Sequence, residues 1–215
     1  MSERSRSTQG KQTDAVQQVL LLGDAMVDAY LTVDPAGISD EAPVVVADCL
    51  GTTREFGGML NTATALHALG AHVHLVARIG EHDEDGQWVQ QQATALGMAA
   101  DWLADESTIT TQKMRVVAEP TGDYLARLDH EIVAPLSASL EQRLHERIQA
   151  LVPEVDVVVV SDYAKGFVSQ EVAGLIVQVA NRRGPRGGGR QAVHDPWYAG
   201  ATVFTPNVTE RRSWL

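Results

Sequence analysis

The sequence predicts an α/β fold, a mostly parallel sheet flanked by helices and carrying a small antiparallel β lid. Three observations lead to it: short apolar runs without alternation, helical stretches between them, and two segments in which apolar and polar residues alternate. Continuous runs suit strands buried on both faces of a parallel sheet, whereas period-two segments suit strands with one solvated or ligand-facing side. With 215 residues, 44% of them hydrophobic, the chain can bury a sizeable core.

Residues 1–16, rich in Ser, Arg, Gln and Thr, read as a disordered leader to a folded unit over 17–215. Val19-Leu20-Leu21-Leu22, closed by Gly23-Asp24, is the first buried strand expected. The first lid segment, about 28–48, holds Tyr30-Leu31-Thr32-Val33 and Val44-Val45-Val46-Ala47. A helix over 61–69 stops at Gly70, as a left-handed C-cap requires, and a second over 85–96 stops the same way at Gly97. A buried strand over 73–77 separates them. The second lid segment, about 110–129, holds Met114-Arg115-Val116-Val117 and Tyr124-Leu125-Ala126-Arg127-Leu128. A helix over 139–151, a strand over 157–160 and a helix from the N-cap Ser169 to Arg183 follow. Gly and Pro make 184–190 a turn, and strands are expected over 192–193 and 201–204. Strands 157–160 and 201–204, apolar on both sides, call for helices on both faces. Only five residues follow Glu210, so a bare face or edge is expected.

Composition excludes several classes of partner. Seventeen basic against 28 acidic residues give a formal charge of −11, which argues against a surface built for nucleic acid. No apolar run approaches membrane-spanning length and residues 1–13 lack a signal-peptide core, so a cytoplasmic protein without a membrane partner is expected. The single cysteine, Cys49, can form no internal disulfide and is expected to be a small buried hydrophobe.

Gly57-Gly58-Met59-Leu60-Asn61-Thr62-Ala63 is the strongest chemical signal. Paired glycines before a helix let backbone approach a ligand, and Asn61 offers a donor and an acceptor to sugar hydroxyls. A glycine turn feeding an ordinary helix has the same form. Asp28, after the first strand, stands at the strand edge where open α/β sheets bind ligands, while Asp24 has the alternative of a solvated loop residue. His72 and His74 share one strand face without an evident third ligand and read as core or edge histidines, and His194 beside Asp195 points to the opposite face.

The spacing from Asn61 to Ala63, Gly70 and Gly80 resembles the first signature of the PfkB, or ribokinase-like, family of carbohydrate kinases, with Met59 where a small residue is usual. That resemblance implies a ribokinase-like, Rossmann-type sheet, and Asp28 matches the acidic residue that grips substrate hydroxyls. Within the family the chain is most similar to the kinase domain of bifunctional heptose 7-phosphate kinases that are also heptose 1-phosphate adenylyltransferases. The residues carrying this are Ile38-Ser39-Asp40-Glu41-Ala42-Pro43-Val44, Thr110-Thr111-Gln112-Lys113-Met114-Arg115-Val116, Arg127-Leu128-Asp129, Ser161-Asp162-Tyr163-Ala164-Lys165-Gly166, Asp195-Pro196 and Thr205-Pro206-Asn207. Gly37 stands for a customary Arg and Trp197 for a customary Lys.

The resemblance implies phosphorylation of the anomeric hydroxyl of D-glycero-D-manno-heptose 7-phosphate by ATP with Mg2+, on the route to ADP-heptose. Asp28, Gly57, Gly58 and Asn61 would hold the sugar. Lys113, Arg115, Arg127 and Lys165 are the cations for its phosphate, with surface charge as the alternative for each. Asn207 and Glu210 match the family's Asn-x-x-Glu motif for magnesium and phosphate, Glu210 acting on the metal indirectly. The family's Gly-Ala-Gly-Asp stretch, with its anion hole and catalytic Asp, is not found in these residues. The chain is therefore expected to be a C-terminally truncated domain, catalytically poor or inactive alone, or completed by another polypeptide. A non-catalytic sugar-phosphate-binding remnant and a different sugar or nucleoside kinase are the other readings, and the lid could pair two copies into a homodimer.

Overall fold

Leu20, Leu21 and Leu22 are all fully buried because successive side chains of one strand point into two different cores. The computed structural model describes residues 16–182, 190–191, 195–203 and 205. The strands are β1 (Gln18–Ile38), β2 (Val45–Gly58), β3 (His72–Gly80), β4 (Ala99–Asp105), β5 (Thr111–Ala118), β6 (Tyr124–His130), β7 (Val157–Ser161) and β8 (Arg190–Gln191). The helices are α1 (Met59–Ala68), α2 (Glu84–Ala95), α3 (Ala138–Leu151) and α4 (Gln170–Asn181).

The core sheet runs β4-β3-β1-β7-β8 with every pairing parallel. Leu21 joins Leu75, Ala77, Met59, Leu60, Val89 and Ala93, the face covered by α1 and α2. Leu20 and Leu22 join Val158, Val160, Leu144, Ile148, Val172 and Ile176, the face covered by α3 and α4. Val158 and Val160 are buried, whereas Val157 and Val159 on the other side of β7 are only half-buried. Leu144 is fully buried in the second core. Leu144→Ala is expected to cost about 2–5 kcal/mol in urea denaturation, against less than about 0.5 kcal/mol for Gln149→Ala on the exposed side of α3.

Local signals place the helix ends. Gly70 and Gly97 adopt φ of 86° and 70° just beyond α1 and α2. Ser169 caps α4 by accepting the Val172 N–H at 3.2 Å, and Ser137 caps α3 through the Leu140 N–H.

Gly23-Asp24 does not close the first strand. β1 continues to Ile38, exchanging its core neighbours β3 and β7 for the lid strands β2 and β5. The lid order is thus β2-β1-β5-β6. Two of its pairings, β1–β2 and β5–β6, are antiparallel as expected, and β1–β5 is parallel. Asp85 at the start of α2 ties the lid down: it pairs with Arg54 of β2 at 3.1 Å and accepts from Gln112 of β5 at 2.6 Å.

Other expectations are corrected. Cys49 is exposed, because the outer half of β2 is solvated on both faces. Ala201, Thr202 and Val203 lie outside any strand and Val203 is 49% exposed, so an apolar run there does not make a buried strand. Phe204, the strand expected at 192–193, the turn at 184–189, His194 and residues 1–15 of the leader lie outside the described residues. Among the described residues no helix is long and apolar enough to cross a membrane.

Candidate functional site

Because β1 runs from the core into the lid, its polar residues 24 and 28 stand where the two sheets meet, at the C-terminal edge of the parallel strands. Asp28 lies in register with Glu55 of β2 and Lys113 of β5. Its Oδ1 accepts from Arg115 Nη1 at 2.6 Å, and Arg115 sits over the Tyr30 ring, 5.5 Å from its centre. Hydrogen bonding to Asp28 raises the Arg115 pKa further, and burial raises that of Tyr30. A Cβ on Gly57 would stand 2.9 Å from Asp28 Oδ2, so the glycine leaves the room this carboxylate occupies. Gly58, at φ 55°, is the N-cap of α1.

The expected phosphate cations are gathered by two carboxylates. Lys113 Nζ lies 3.1 Å from Asp129 and 3.4 Å from Glu131, Lys165 Nζ 2.8 Å from Glu131, and Arg127 Nε 2.8 Å from Asp129. Arg115 and Arg127 stand directly opposite each other on β5 and β6, a like-charge pairing offset by Asp28 beside the one and Asp129 beside the other. The Lys113 bond, then that of Arg127, holds Asp129 below the usual carboxylate range, and the Lys165 bond does the same for Glu131. Arg115 also donates to the Lys113 carbonyl at 3.3 Å, linking this cluster to Asp28. Three cations around two carboxylates leave positive charge that an anion would satisfy by displacing a carboxylate.

Asn61, exposed at the third position of α1, lines a separate hollow of about 380 Å³ with Glu55, Phe56 and Trp88. Asn207 and Glu210 lie outside the described residues. His74 is held by Asp101 at 2.6 Å, and His72 is exposed.

Sequence reasoning missed four charged residues at this edge. Asp24 is 4% exposed rather than solvated, and burial pushes its pKa up to about 6 despite the Tyr163 N–H that favours the charged form. Arg78, 8% exposed, lies opposite it on β3, with Asp105 of β4 at 3.6 Å. Burial lowers the Arg78 pKa against the pull of Asp105. Asp162, buried after β7, accepts the Tyr198 hydroxyl at 2.9 Å. Glu131 holds two lysines from a segment that belongs to no element. A charged residue inside the apolar run Val76-Ala77-Arg78-Ile79 was a signal for Arg78; Glu131 carried none.

The profile of pfkB family carbohydrate kinases matches residues 16–215. The chain is 34% identical over 205 residues to the bifunctional protein HldE of Bradyrhizobium sp., covering 93% of this chain and 41% of that protein. It is 30% identical over 200 residues to the HldE of Helicobacter hepaticus, covering 90% and 40%. The chain thus spans about two-fifths of the length of these curated relatives. Among solved structures it is similar to Escherichia coli phosphofructokinase-2 in its tetrameric inhibited form, with a TM-score of 0.66 at 18% identity over 91% of this chain and 62% of that one. A carbohydrate kinase from Agrobacterium tumefaciens matches with a TM-score of 0.61 at 18% identity over 85% and 55%. At such identities the structures speak for the fold, a ribokinase-like arrangement of mostly parallel sheet and flanking helices.

Proposed function

This chain belongs to the pfkB family of carbohydrate kinases, and from that premise we propose that it is the sugar-phosphate-recognising part of an ATP-dependent heptose 7-phosphate 1-kinase. The observation that carries the reading is the cluster of Lys113, Arg127 and Lys165 around Asp129 and Glu131, beside the Asp28–Arg115 pair. In this reading Asp28 accepts sugar hydroxyl protons through the oxygen that Arg115 leaves free. The lysines and Arg127 exchange a carboxylate for the sugar's phosphate, which fixes the far end of the substrate. The Gly57-Gly58 backbone completes the sugar's surroundings beside Asp28, whereas Asn61 faces the separate hollow and takes no part in them.

ATP with Mg2+ supplies the transferred phosphoryl group. Asn207 and Glu210 are the residues proposed to serve it, so the chain's share derived from its described residues is recognition rather than transfer. The proposed setting is the cytoplasm, in the making of an ADP-activated heptose. The exposed apolar residues Ile38, Val45, Leu50, Tyr124 and Leu128 of the lid fit a second copy of the chain as its partner.

Calorimetric titration of the 215-residue chain with D-glycero-D-manno-heptose 7-phosphate and with the unphosphorylated heptose tests the proposal. The phosphorylated sugar is expected to bind at least tenfold more tightly. Lys165→Met should weaken that binding about 10–100-fold, the worth of a charge-assisted hydrogen bond, and leave the unphosphorylated sugar within about twofold. Equal affinity for the two sugars would refute the reading. ADP release with ATP and Mg2+, controlled by Asp28→Asn, then separates a kinase from a sugar-phosphate binder.

A further inference from the structure

The Lys165 peptide is held on both sides by buried charges. Asp24 Oδ2 accepts the N–H of Lys165 at 3.3 Å and that of Tyr163 at 2.7 Å. Arg78 donates from Nη2 to the Lys165 carbonyl at 2.7 Å and from Nη1 to the Ala134 carbonyl at 2.9 Å. Asp24 and Arg78 are register partners on adjacent strands, so one rung of the core sheet grips both polar groups of one residue in the loop above it.

The loop needs fastening from outside. Ala164 sits at φ 57°, a left-handed conformation that costs a non-glycine residue about 1 kcal/mol, and Gly166 at φ 93° follows. A Cβ on Gly166 would stand 2.6 Å from the Ala134 carbonyl carbon, so the loop and the segment after Glu131 meet backbone to backbone. Arg78 therefore fixes two pieces of chain at once, one bearing Lys165 and one leading from the Glu131 to which Lys165 is bonded.

We propose that Asp24 and Arg78 are positioning residues that set the place of the Lys165 ammonium and thereby the preference for a phosphorylated over an unphosphorylated sugar. This rests on the reading of Lys165 as a phosphate ligand given above. Neither residue touches the substrate in this account. Two buried ions are costly unless fully bonded, and these spend their bonds on the loop. The charged groups facing Asp24 are Arg78 from β3 and Asp162 from the segment after β7, and Arg78 faces Asp105 from β4. Protonation of Asp24 removes the charge that attracts the two N–H groups, so the grip is expected to loosen as pH falls through about 6.

Amide spectra of the ¹⁵N-labelled 215-residue chain between pH 5 and 8, with calorimetry of the two sugars at pH 7.5, test it. The Tyr163 and Lys165 amides are expected to titrate together, and Asp24→Asn to abolish that titration. Asp24→Asn is also expected to reduce the preference for the phosphorylated sugar at least tenfold while leaving the unphosphorylated one within twofold. Arg78→Lys, which keeps the charge and loses the two-pronged bond, should share that selective loss, and a thermal melt identifies any variant that does not fold. Wild-type preference retained in a folded Asp24→Asn or Arg78→Lys chain would overturn the proposal. If the wild type shows no preference, the Lys165 reading fails, and the amides still decide the grip: Tyr163 and Lys165 amide shifts that move together in Asp24→Asn support it, and shifts unchanged in that folded variant overturn it.

Discussion

Gly23→Ala is expected to lower the stability of the chain by about 3–4 kcal/mol, the range of a backbone clash that no side chain can relieve. A Cβ at this position would stand 2.8 Å from the Ser161 carbonyl carbon and closer still to its oxygen, inside the β1–β7 pairing. The backbone there is also at φ 155°, outside the range L side chains ordinarily adopt. Relief requires β1 and β7 to separate, yet Leu22 and Val160 on either side lie in one core. Gly51→Ala in the lid, where an added Cβ meets nothing within 4 Å, is the matched control and should change stability by less than about 0.5 kcal/mol. Urea denaturation of the two variants decides the matter, and equal midpoints would refute the assignment of Gly23 to a backbone crossing.

Asp28→Asn is expected to weaken binding of heptose 7-phosphate about 100-fold, or about 3 kcal/mol. Two losses combine. A neutral amide is a poorer acceptor for a sugar hydroxyl than a carboxylate, and Arg115, bonded to Asp28 at 2.6 Å and only 22% exposed, loses its counter-charge. The second loss is measured by Arg115→Met and the double variant, because contacting residues are not additive. A coupling above about 1 kcal/mol in calorimetry would mark the pair as one unit in sugar binding. Affinity unchanged in folded Asp28→Asn would remove Asp28 from the site.

What the sequence disclosed and what it hid divide along local and non-local physics. Gly70, Gly97 and Ser169 announce helix ends because their conformations and hydrogen bonds involve the next few residues only. The strands 19–22, 73–77 and 157–160 announce themselves as near-continuous apolar runs, broken only by the half-buried His74, because their side chains on both faces are covered or half-covered. The continuation of β1 past Gly23 was hidden, since its new neighbours β2 and β5 come from elsewhere in the chain. β4 was hidden too: Ala-Ala-Asp-Trp-Leu-Ala-Asp has no pattern, and Leu103 is its one buried hydrophobic residue. In the candidate site, the residue types at Asp28, Lys113, Arg115, Arg127 and Lys165 were legible, but their pairing through Asp129 and Glu131 is a product of tertiary approach. Asp24 and Arg78 became meaningful only when register set them side by side.

The placement of β1 also bears on how the chain is made. It is synthesised before every strand it pairs with, yet among the described strands it is the central one of one sheet and an inner one of the other. Val19 must wait for Val73 on one edge and for Val157 on the other. Until then Leu20, Leu21 and Leu22 present an apolar strand with unpaired edges, the kind of segment that associates with the wrong chain. Pairings this distant along the chain also slow folding, because the intervening loop must close before the contact rewards it. Synthesis thus places the molecule's most connected strand at its longest risk, and a nascent chain halted before β7 is the form in which a holding chaperone would find it.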